Sequence, residues 1–256
     1  VAEAMDRGIN YVDVAPSYGQ GEAERKLGPA LKPYRDKVFL ACKTQMRDKK
    51  GAAAELRASL KQMQTDHFDL YQMHAITDVE KDVERALAPD GAMAAFLEAK
   101  QQGLVRFLGF SAHSVAAALK AIDTGLFDTI LYPVNFVCHL RGHFDQEVLA
   151  RAKAKGMGVL ALKAMARTGW DNRPDPQAER PYPKCWYEPV SDPAEAALAL
   201  RWTLAQGVTA ALPPGDERLL TVALNVAAKD RPLQPDESRA LEELAAKLTP
   251  IFTRPA

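Results

Sequence analysis

Short apolar runs alternate along the chain with longer segments in which apolar residues recur every three or four positions. The short runs are typical of buried strands, and the longer segments are typical of amphipathic helices. The pattern predicts strands over 10–14, 38–43, 69–74, 105–111, 130–135, 158–163 and 209–212. It predicts helices over 22–31, 52–64, 91–102, 115–124, 146–155, 193–205, 218–229 and 237–248, the last with Asp236 as its N-cap.

This alternation favours an α/β fold with a parallel sheet covered by helices. The predicted strand ends recur about every 30 residues, as in the units of a (β/α)8 TIM barrel. Seven strands are predicted, so we expect the first strand of the barrel to lie before Val1 and residues 1–256 to form one N-terminally incomplete domain. The alternative is a doubly wound sheet. It lacks a glycine fingerprint, since Gly156-Met-Gly158 opens a strand instead of a helix.

One predicted connection, residues 167–190, is long and rich in proline and aromatic residues. It follows a strand, so in a barrel it lies at the end where the strands finish, and loops of such length are often lids. Trp170 and Trp186 favour an ordered lid that binds an apolar part of the substrate. The alternative is a surface flap packed on the rim of the barrel.

Composition excludes several classes of function. Lys and Arg number 33 and Asp and Glu number 33, so the net charge is zero and favours neither nucleic acid nor an anionic membrane as partner. The chain contains no apolar run of the roughly 18 residues that a spanning helix needs. Three scattered cysteines fit a reducing, cytoplasmic location, although a lost export signal before Val1 stays open. We expect a monomer or a weak homo-oligomer.

Polar residues follow the first three predicted strands: Asp13, Lys43 and His74 stand at strand ends, and Tyr18 stands in the turn after Asp13. In a parallel barrel neighbouring strand ends meet, so these side chains are expected to converge. A lysine at the end of an apolar strand needs a carboxylate nearby, and Asp13 is the obvious partner.

Such a set of residues predicts carbonyl chemistry. A tyrosine with a pKa near 10 is a poor acid, and a nearby ammonium lowers that pKa. A histidine beside the phenol donates a hydrogen bond to a carbonyl oxygen, which the tyrosine then protonates. None of the four residues supplies a hydride, so a reductase of this kind needs a nicotinamide cofactor.

The chain resembles the aldo-keto reductases in four segments, GINYVDVAPSYGQGEAERKLGPAL, VFLACKT, DLYQMH and VRFLGFSAH. The resemblance extends from Gly8 to about Asn225 and implies a TIM barrel that reversibly reduces an aldehyde or ketone with NADP(H), or else NAD(H). It implies four catalytic roles: a general acid (Tyr18), a group that lowers its pKa (Lys43), the lysine's partner (Asp13) and a carbonyl-orienting donor (His74).

The resemblance also implies cofactor contacts at Ser111, Asn135 and Lys163. Members of the family commonly have Ser-Asn where this chain has Ser111-Ala112, and Asn-Gln where it has Asn135-Phe136. The aromatic residue that usually stacks on the nicotinamide is replaced near Lys163. These departures are typical of a divergent bacterial branch.

Gly215 and Arg218 fall where the family binds the adenosine 2′-phosphate. Arg218 suits a phosphate, while Asp216 and Glu217 repel phosphate or bond a free 2′-hydroxyl. The family therefore favours NADP, with NAD as the alternative.

Two other functions compete with carbonyl reduction. His139 and His143, next to Cys138, have the spacing of zinc ligands on a helix. They suggest a metal-dependent barrel hydrolase as the first alternative function. The surrounding residues, Gly142 among them, predict a loop there, so we expect no metal. A regulatory family member that binds the cofactor with little turnover is the second alternative.

Overall fold

The backbone follows the predicted alternation of strands and helices. The structure, a computed structural model, describes residues 1–173, 179–229 and 231–255. It forms two compact units, Val1–Ile130 and Leu131–Ala256.

The first unit contains four parallel strands paired in chain order, namely β1 (Tyr11–Asp13), β2 (Phe39–Thr44), β3 (Phe68–Ile76) and β4 (Val105–Ala112). Its α-helices are α1 (Ala2–Asp6), α2 (Glu22–Leu31), α3 (Lys49–Met63), α4 (Arg85–Leu87), α5 (Ala92–Gln101) and α6 (Val115–Asp123). Both side-chain directions of β2 and β3 are largely buried, which explains why β2 is apolar from Phe39 to Cys42. In β3 the apolar residues are interrupted by Asp69, Gln72 and His74. A fifth strand, β5 (Thr129–Pro133), passes from the first unit into the second.

Local chemistry sets the helix boundaries of the first unit. The Asp48 carboxylate accepts a hydrogen bond from the Gly51 amide and begins α3, and the Ser114 hydroxyl does the same for α6. Gly28 of α2 lies so close to α3 that a Cβ there would come within 2.6 Å of the Gln62 carbonyl oxygen. The glycine therefore permits the close approach of these two helices.

In the second unit, β5 is followed in the sheet by β6 (Gly158–Leu162) and by β9 (Ala210–Ala211), which pairs with β6 in parallel. The helices of this unit are α7 (Phe136–Leu140), α8 (Gln146–Ala154), α9 (Pro193–Ala205), α10 (Glu217–Ala227) and α11 (Pro235–Ala245). A separate antiparallel hairpin joins β7 (Ala166–Gly169) to β8 (Tyr187–Pro189). All seven predicted strands are therefore present, and the hairpin adds two more.

Two local predictions in the second unit are wrong. The segment around Cys138 and His139 is the short helix α7 instead of a loop, because the Asn135 side chain accepts a hydrogen bond from the Cys138 amide and caps it. Helix α11 is capped by Gln234 rather than Asp236. Proline at the next position suits the first turn of a helix, and Glu237 completes a capping box.

The predicted lid, 167–190, contains most of this hairpin. Trp170 is buried in it and donates a hydrogen bond to the Cys185 carbonyl at 2.7 Å, which ties the two arms together. Residues 174–178 of the predicted lid lie outside the described part of the chain. Within that described part, no helix combines the length and apolar character needed to cross a bilayer.

The three cysteines, Cys42, Cys138 and Cys185, are free thiols and are buried. Burial raises the pKa of each of these thiols. The thiols therefore stay protonated at neutral pH.

Asp69 ties the beginnings of three strands together in the first unit. Its carboxylate accepts hydrogen bonds from the Leu40 amide at 2.8 Å, from Arg35 at 3.1 Å and from Arg106 at 2.6 Å. Burial by itself would raise the pKa of this carboxyl group, but the Leu40 amide and the two guanidinium groups outweigh burial and lower it. Asp69 is therefore ionised in the folded protein and stabilises it.

We expect Asp69→Asn to lower the free energy of unfolding at neutral pH by about 1–3 kcal/mol, because bonds to a charged acceptor are weakened. Since the folded pKa is depressed, the contribution of Asp69 is complete above its unfolded pKa of about 3.9 and is lost as the pH falls through the folded pKa. Urea unfolding between neutral and acidic pH measures both effects.

Asp66→Asn is the matched control, because the Asp66 carboxylate is exposed and pairs with His67. It should leave the unfolding free energy nearly at its wild-type value, because solvent screens an exposed ion pair. An Asp69→Asn protein with wild-type stability at neutral pH would contradict the stabilising role of this carboxylate.

Candidate active site

A buried lysine lies at the centre of the polar cluster in the first unit. Strands β1 and β2 are adjacent and parallel. Asp13, the last residue of β1, therefore lies beside Lys43, which stands near the end of β2. The Lys43 ammonium, 0% exposed, donates to the Asp13 carboxylate, to the Tyr18 hydroxyl at 2.9 Å and to the Val14 carbonyl at 3.5 Å. These three acceptors satisfy the hydrogen-bonding capacity of the ammonium group.

The charge of Lys43 is maintained by its partners. Burial by itself would lower the pKa of the ammonium, but the negative charge of Asp13, the polarity of Tyr18 and their hydrogen bonds outweigh burial and raise it. Lys43 therefore remains an ammonium ion through the neutral pH range.

The loop that follows β1 leads into a tight 3-10 turn over Tyr18–Gly21, in which Tyr18 is the first residue. Gly19 and Gln20 have φ values of 55° and 56°, a left-handed conformation that brings the chain back sharply toward α2. The tyrosine is 38% exposed, while its hydroxyl touches the buried ammonium. A phenol held in this way can reach both solvent-borne substrate and a fixed positive charge.

His74, near the end of β3, completes the cluster. The imidazole ring packs edge-on against Tyr18, with the ring centroids 5.7 Å apart. The structure therefore brings together all four residues that were predicted to converge. Their catalytic roles stay predictions.

The backbone around His74 is held from two sides. The Arg47 guanidinium donates to the His74 carbonyl at 2.7 Å and also to Asp82 at 2.9 Å. The next residue, Ala75, has a left-handed φ of 54°, and its amide donates to the Ser111 hydroxyl oxygen at 2.7 Å. Ser111, predicted as a cofactor ligand, thus also fixes the backbone that carries His74.

Two further polar residues of the cluster were missed from the sequence. The Tyr11 hydroxyl and the Gln72 amide nitrogen both donate to the second oxygen of Asp13, each at 3.1 Å. Two signals could have found them. Tyr11 stands two residues before Asp13 on the same strand, so it shares a face with it, and Gln72 is in register with Lys43.

In the second unit, two predicted cofactor residues also stand at strand ends. Asn135 is fully buried and caps α7 through its side-chain oxygen, whereas its side-chain nitrogen has no hydrogen-bond partner among the described residues. Lys163 follows β6 with a φ of 59°, and its ammonium lies 5.7 Å from the ring centres of Trp186 and Phe252.

The predicted phosphate-binding residues stand near the start of α10 in the same unit. Arg218 forms two bonds of 2.9 Å to the Asp216 carboxylate and packs 4.5 Å from the ring centre of Tyr182. Hydrogen bonding from Arg218 lowers the pKa of Asp216. A Cβ at Gly215 would meet open space. The sequence missed a second cation here, Lys184, which pairs with Glu217.

The two tryptophans of the predicted lid differ in exposure. Trp170 is 2% exposed, whereas Trp186 is 56% exposed and packs edge-on against Tyr187 and Phe252. Trp186 is therefore the one that offers a ring face to a ligand.

The possible zinc ligands have other partners. The His139 ring bonds to Asp145 at 2.9 Å, and the His143 ring bonds to Gln146 at 3.1 Å. Across the described ranges, no three metal-ligating side chains come together in a group that could hold a metal ion.

Comparison with known proteins identifies the family. The model of the aldo/keto reductase family matches residues 1–246. The chain belongs to this family. Its relatives include the aldo-keto reductase YhdN of Bacillus subtilis strain 168, 29% identical over 182 residues that make up 65% of this chain and 51% of YhdN. They also include the uncharacterized oxidoreductase YqkF of the same strain, 26% identical over 94% of this chain and 84% of YqkF.

The chain therefore spans about half the length of YhdN in that match and most of the length of YqkF. Among solved structures, the aldo-keto reductase AKR11C1 from Bacillus halodurans in its holo form superimposes with a TM-score of 0.73. It is 25% identical, and the match covers 95% of this chain and 85% of AKR11C1.

An aldo-keto reductase from Klebsiella pneumoniae in complex with NADPH superimposes with a TM-score of 0.69 at 22% identity, over 100% of this chain and 86% of that protein. The solved aldo-keto reductases are (β/α)8 barrels, so the predicted fold class is confirmed.

The ion pair between Asp13 and Lys43 predicts that the effects of substituting its two members on the unfolding free energy are not additive. Asp13→Asn leaves the Lys43 ammonium buried without its countercharge, so we expect it to lower the unfolding free energy by about 3–5 kcal/mol. Adding Lys43→Met removes the unpaired charge and should restore most of that loss. Urea unfolding of both single variants and the double variant measures the coupling. Additive losses would contradict a direct ion pair.

Proposed function

We propose that the protein reduces a small aldehyde or ketone to an alcohol with a nicotinamide cofactor. The observation that carries the proposal is the contact between the exposed Tyr18 phenol and the buried Lys43 ammonium, which Asp13 holds in place. A binding protein without catalysis has no use for a desolvated cation against a phenol. Membership of the aldo/keto reductase family supports the same reaction.

In this proposal Tyr18 donates its proton to the carbonyl oxygen of the substrate as negative charge develops there. The Lys43 ammonium stabilises the negative charge that the departing proton leaves on the phenol oxygen. His74, whose ring lies against Tyr18, donates a hydrogen bond to the same carbonyl oxygen and orients it. Asp13 keeps the ammonium in position.

Each unit, taken by itself, offers a side chain that suits a nicotinamide group. The buried Asn135 amide nitrogen, without a partner among the described residues, is a donor of the kind that a carboxamide oxygen needs. Ser111 accepts a bond from the Ala75 amide and keeps its own hydroxyl proton to donate. When bound, the dinucleotide supplies the hydride that no side chain of the chain provides.

For the dinucleotide we propose NADP, with NAD as the alternative. The NADPH complex of the Klebsiella pneumoniae relative supports a phosphorylated cofactor. Arg218 lies in the first turn of α10, and Lys184, which precedes β8, pairs with Glu217 in the same turn. Arg218 is itself paired with Asp216. A 2′-phosphate therefore competes with Asp216 for the guanidinium, which predicts a modest preference for NADP. A cytoplasmic location and a state of monomer or weak homo-oligomer stay predictions.

We expect Tyr18→Phe to lower kcat for aldehyde reduction about 10²–10⁴-fold, the contribution of a positioned general acid. The affinity for NADPH should change by less than about twofold, because the phenol acts on the substrate. Steady-state rates with a panel of aldehydes and a tryptophan fluorescence titration with NADPH measure the two quantities.

Tyr34→Phe is the matched control, because it removes a half-buried hydroxyl elsewhere in the same unit. It should leave both quantities at their wild-type values. A wild-type protein that binds NADPH and reduces no carbonyl compound in the panel would support the regulatory alternative instead.

Cofactor preference gives a second test. Asp216→Asn removes the charge that occupies Arg218 while keeping a side chain that can cap α10, so we expect it to tighten NADPH about fivefold and NADH very little. Fluorescence titrations with the two cofactors measure the ratio of dissociation constants.

Asp192→Asn, the same change at the N-cap of α9, should leave that ratio unchanged. Equal tightening of both cofactors by Asp216→Asn would show that Arg218 does not bind the 2′-phosphate.

A further inference from the structure

The Asp13 carboxylate is held by two donors besides Lys43. One of its oxygens accepts from the ammonium, and the other accepts from the Tyr11 hydroxyl and the Gln72 amide nitrogen, each at 3.1 Å. We propose that Tyr11 and Gln72 are positioning residues for carbonyl reduction, which act by fixing the carboxylate and through it the ammonium that touches Tyr18. The inference rests on the proposed function and deepens the description of the same site.

The geometry makes the case for positioning. A carboxylate with one partner turns about its last carbon–carbon bond, and its charge then moves relative to that partner. Donors on both oxygens fix the plane of the group. Tyr11 comes from β1 and Gln72 from β3, so the Asp13 carboxylate is held from two strands while Lys43 approaches from β2.

Tyr11 is a permanent donor in this arrangement. Burial, and then the charge of Asp13, raise the pKa of its hydroxyl well above the usual value for a tyrosine. The Tyr11 proton therefore stays on its oxygen. The two tyrosines beside this ion pair thus have separate roles, since Tyr18 is the exposed one and touches the ammonium.

Gln72 carries an energetic penalty that packing alone does not explain. It is fully buried, and its side-chain oxygen has no hydrogen-bond partner in the described part of the chain. Leaving a buried acceptor without a hydrogen bond is unfavourable, and an apolar residue of the same size would avoid that cost. Its register partner on β4 is Gly109, where a Cβ would lie closest to the Thr129 hydroxyl and also within 3.1 Å of Leu70 and 3.2 Å of Gln72.

Tyr11→Phe tests the first residue. The ring that stacks on Phe39, with centroids 5.9 Å apart, is retained, so the packing changes little while the hydroxyl is lost. We expect kcat for aldehyde reduction to fall about tenfold with the KM for the carbonyl compound changed by less than about twofold. Tyr71→Phe removes a buried hydroxyl on β3 and should retain wild-type kinetics. An unchanged kcat in Tyr11→Phe, or an equal loss in Tyr71→Phe, would overturn the role of Tyr11.

Gln72 is tested by two substitutions of similar size. Gln72→Leu removes the donor, and we expect kcat to fall about fivefold. Gln72→Glu places a second carboxylate against Asp13, among the titratable neighbours Tyr11, Lys43 and Tyr18, and should lower kcat further at neutral pH. Its loss should shrink as the pH falls, because a protonated carboxyl donates to Asp13 as the amide does. Wild-type kcat in Gln72→Glu at neutral pH would show that Gln72 only fills space.

A measurement independent of activity separates this inference from the proposed function. Urea unfolding of Tyr11→Phe, Asp13→Asn and the double variant should give non-additive losses, because the Tyr11 hydroxyl loses its charged acceptor in Asp13→Asn. An additive cycle overturns the inference even when the wild type is an active reductase. A non-additive cycle in a protein that reduces no carbonyl compound supports the hydrogen bonds around Asp13 but overturns the proposed function, and with it a role of those bonds in carbonyl reduction.

Discussion

A fully buried ammonium is the constraint on which the candidate site depends. Lys43 can lie inside the first unit because Asp13 supplies the opposite charge and Tyr18 and the Val14 carbonyl accept its remaining hydrogen bonds. Removing an ion from water carries a penalty of several kcal/mol, so each of these partners must be in place when the strands pair. The same arrangement that makes the lysine tolerable also fixes the position of the phenol, which links the stability of the strands to the chemistry of their ends.

Residues around this ion pair hold its carboxylate and the neighbouring His74 in place. Tyr11 and Gln72 hold the carboxylate, while Arg47 and Ser111 hold the backbone that carries His74. The Asp69 carboxylate joins the opposite ends of the same strands through Leu40, Arg35 and Arg106. Charged side chains therefore tie the beginnings of β2, β3 and β4, while polar and charged side chains link the ends of β1 to β4.

Much of the fold could be predicted from the sequence because buried parallel strands and amphipathic helices leave different periodicities. The predicted bounds of the helices Glu22–Leu31 and Pro193–Ala205 agree with the structure, and the four residues of the central cluster stand at recognisable strand ends. What failed depends either on contacts between distant residues or on the choice of a local helix cap. Gln72 is found as a partner of Asp13 only when the register between β2 and β3 is known, and the sequence of one strand does not give that register. Helix α7 depends on its cap, the hydrogen bond that the Asn135 side chain accepts from the Cys138 amide. The pairing of Lys184 with Glu217 joins positions 33 residues apart, beyond the reach of any local pattern.

The buried thiols bear on where such a chain can work. An oxidant or an alkylating agent attacks the thiolate, and all three sulfur atoms here are both shielded and protonated. Attack by such reagents on the folded chain is therefore slower than on a chain with an exposed thiolate. The number of cysteines, which in the sequence pointed to a reducing compartment, thus describes the redox chemistry of the folded chain less directly than the burial of those cysteines does.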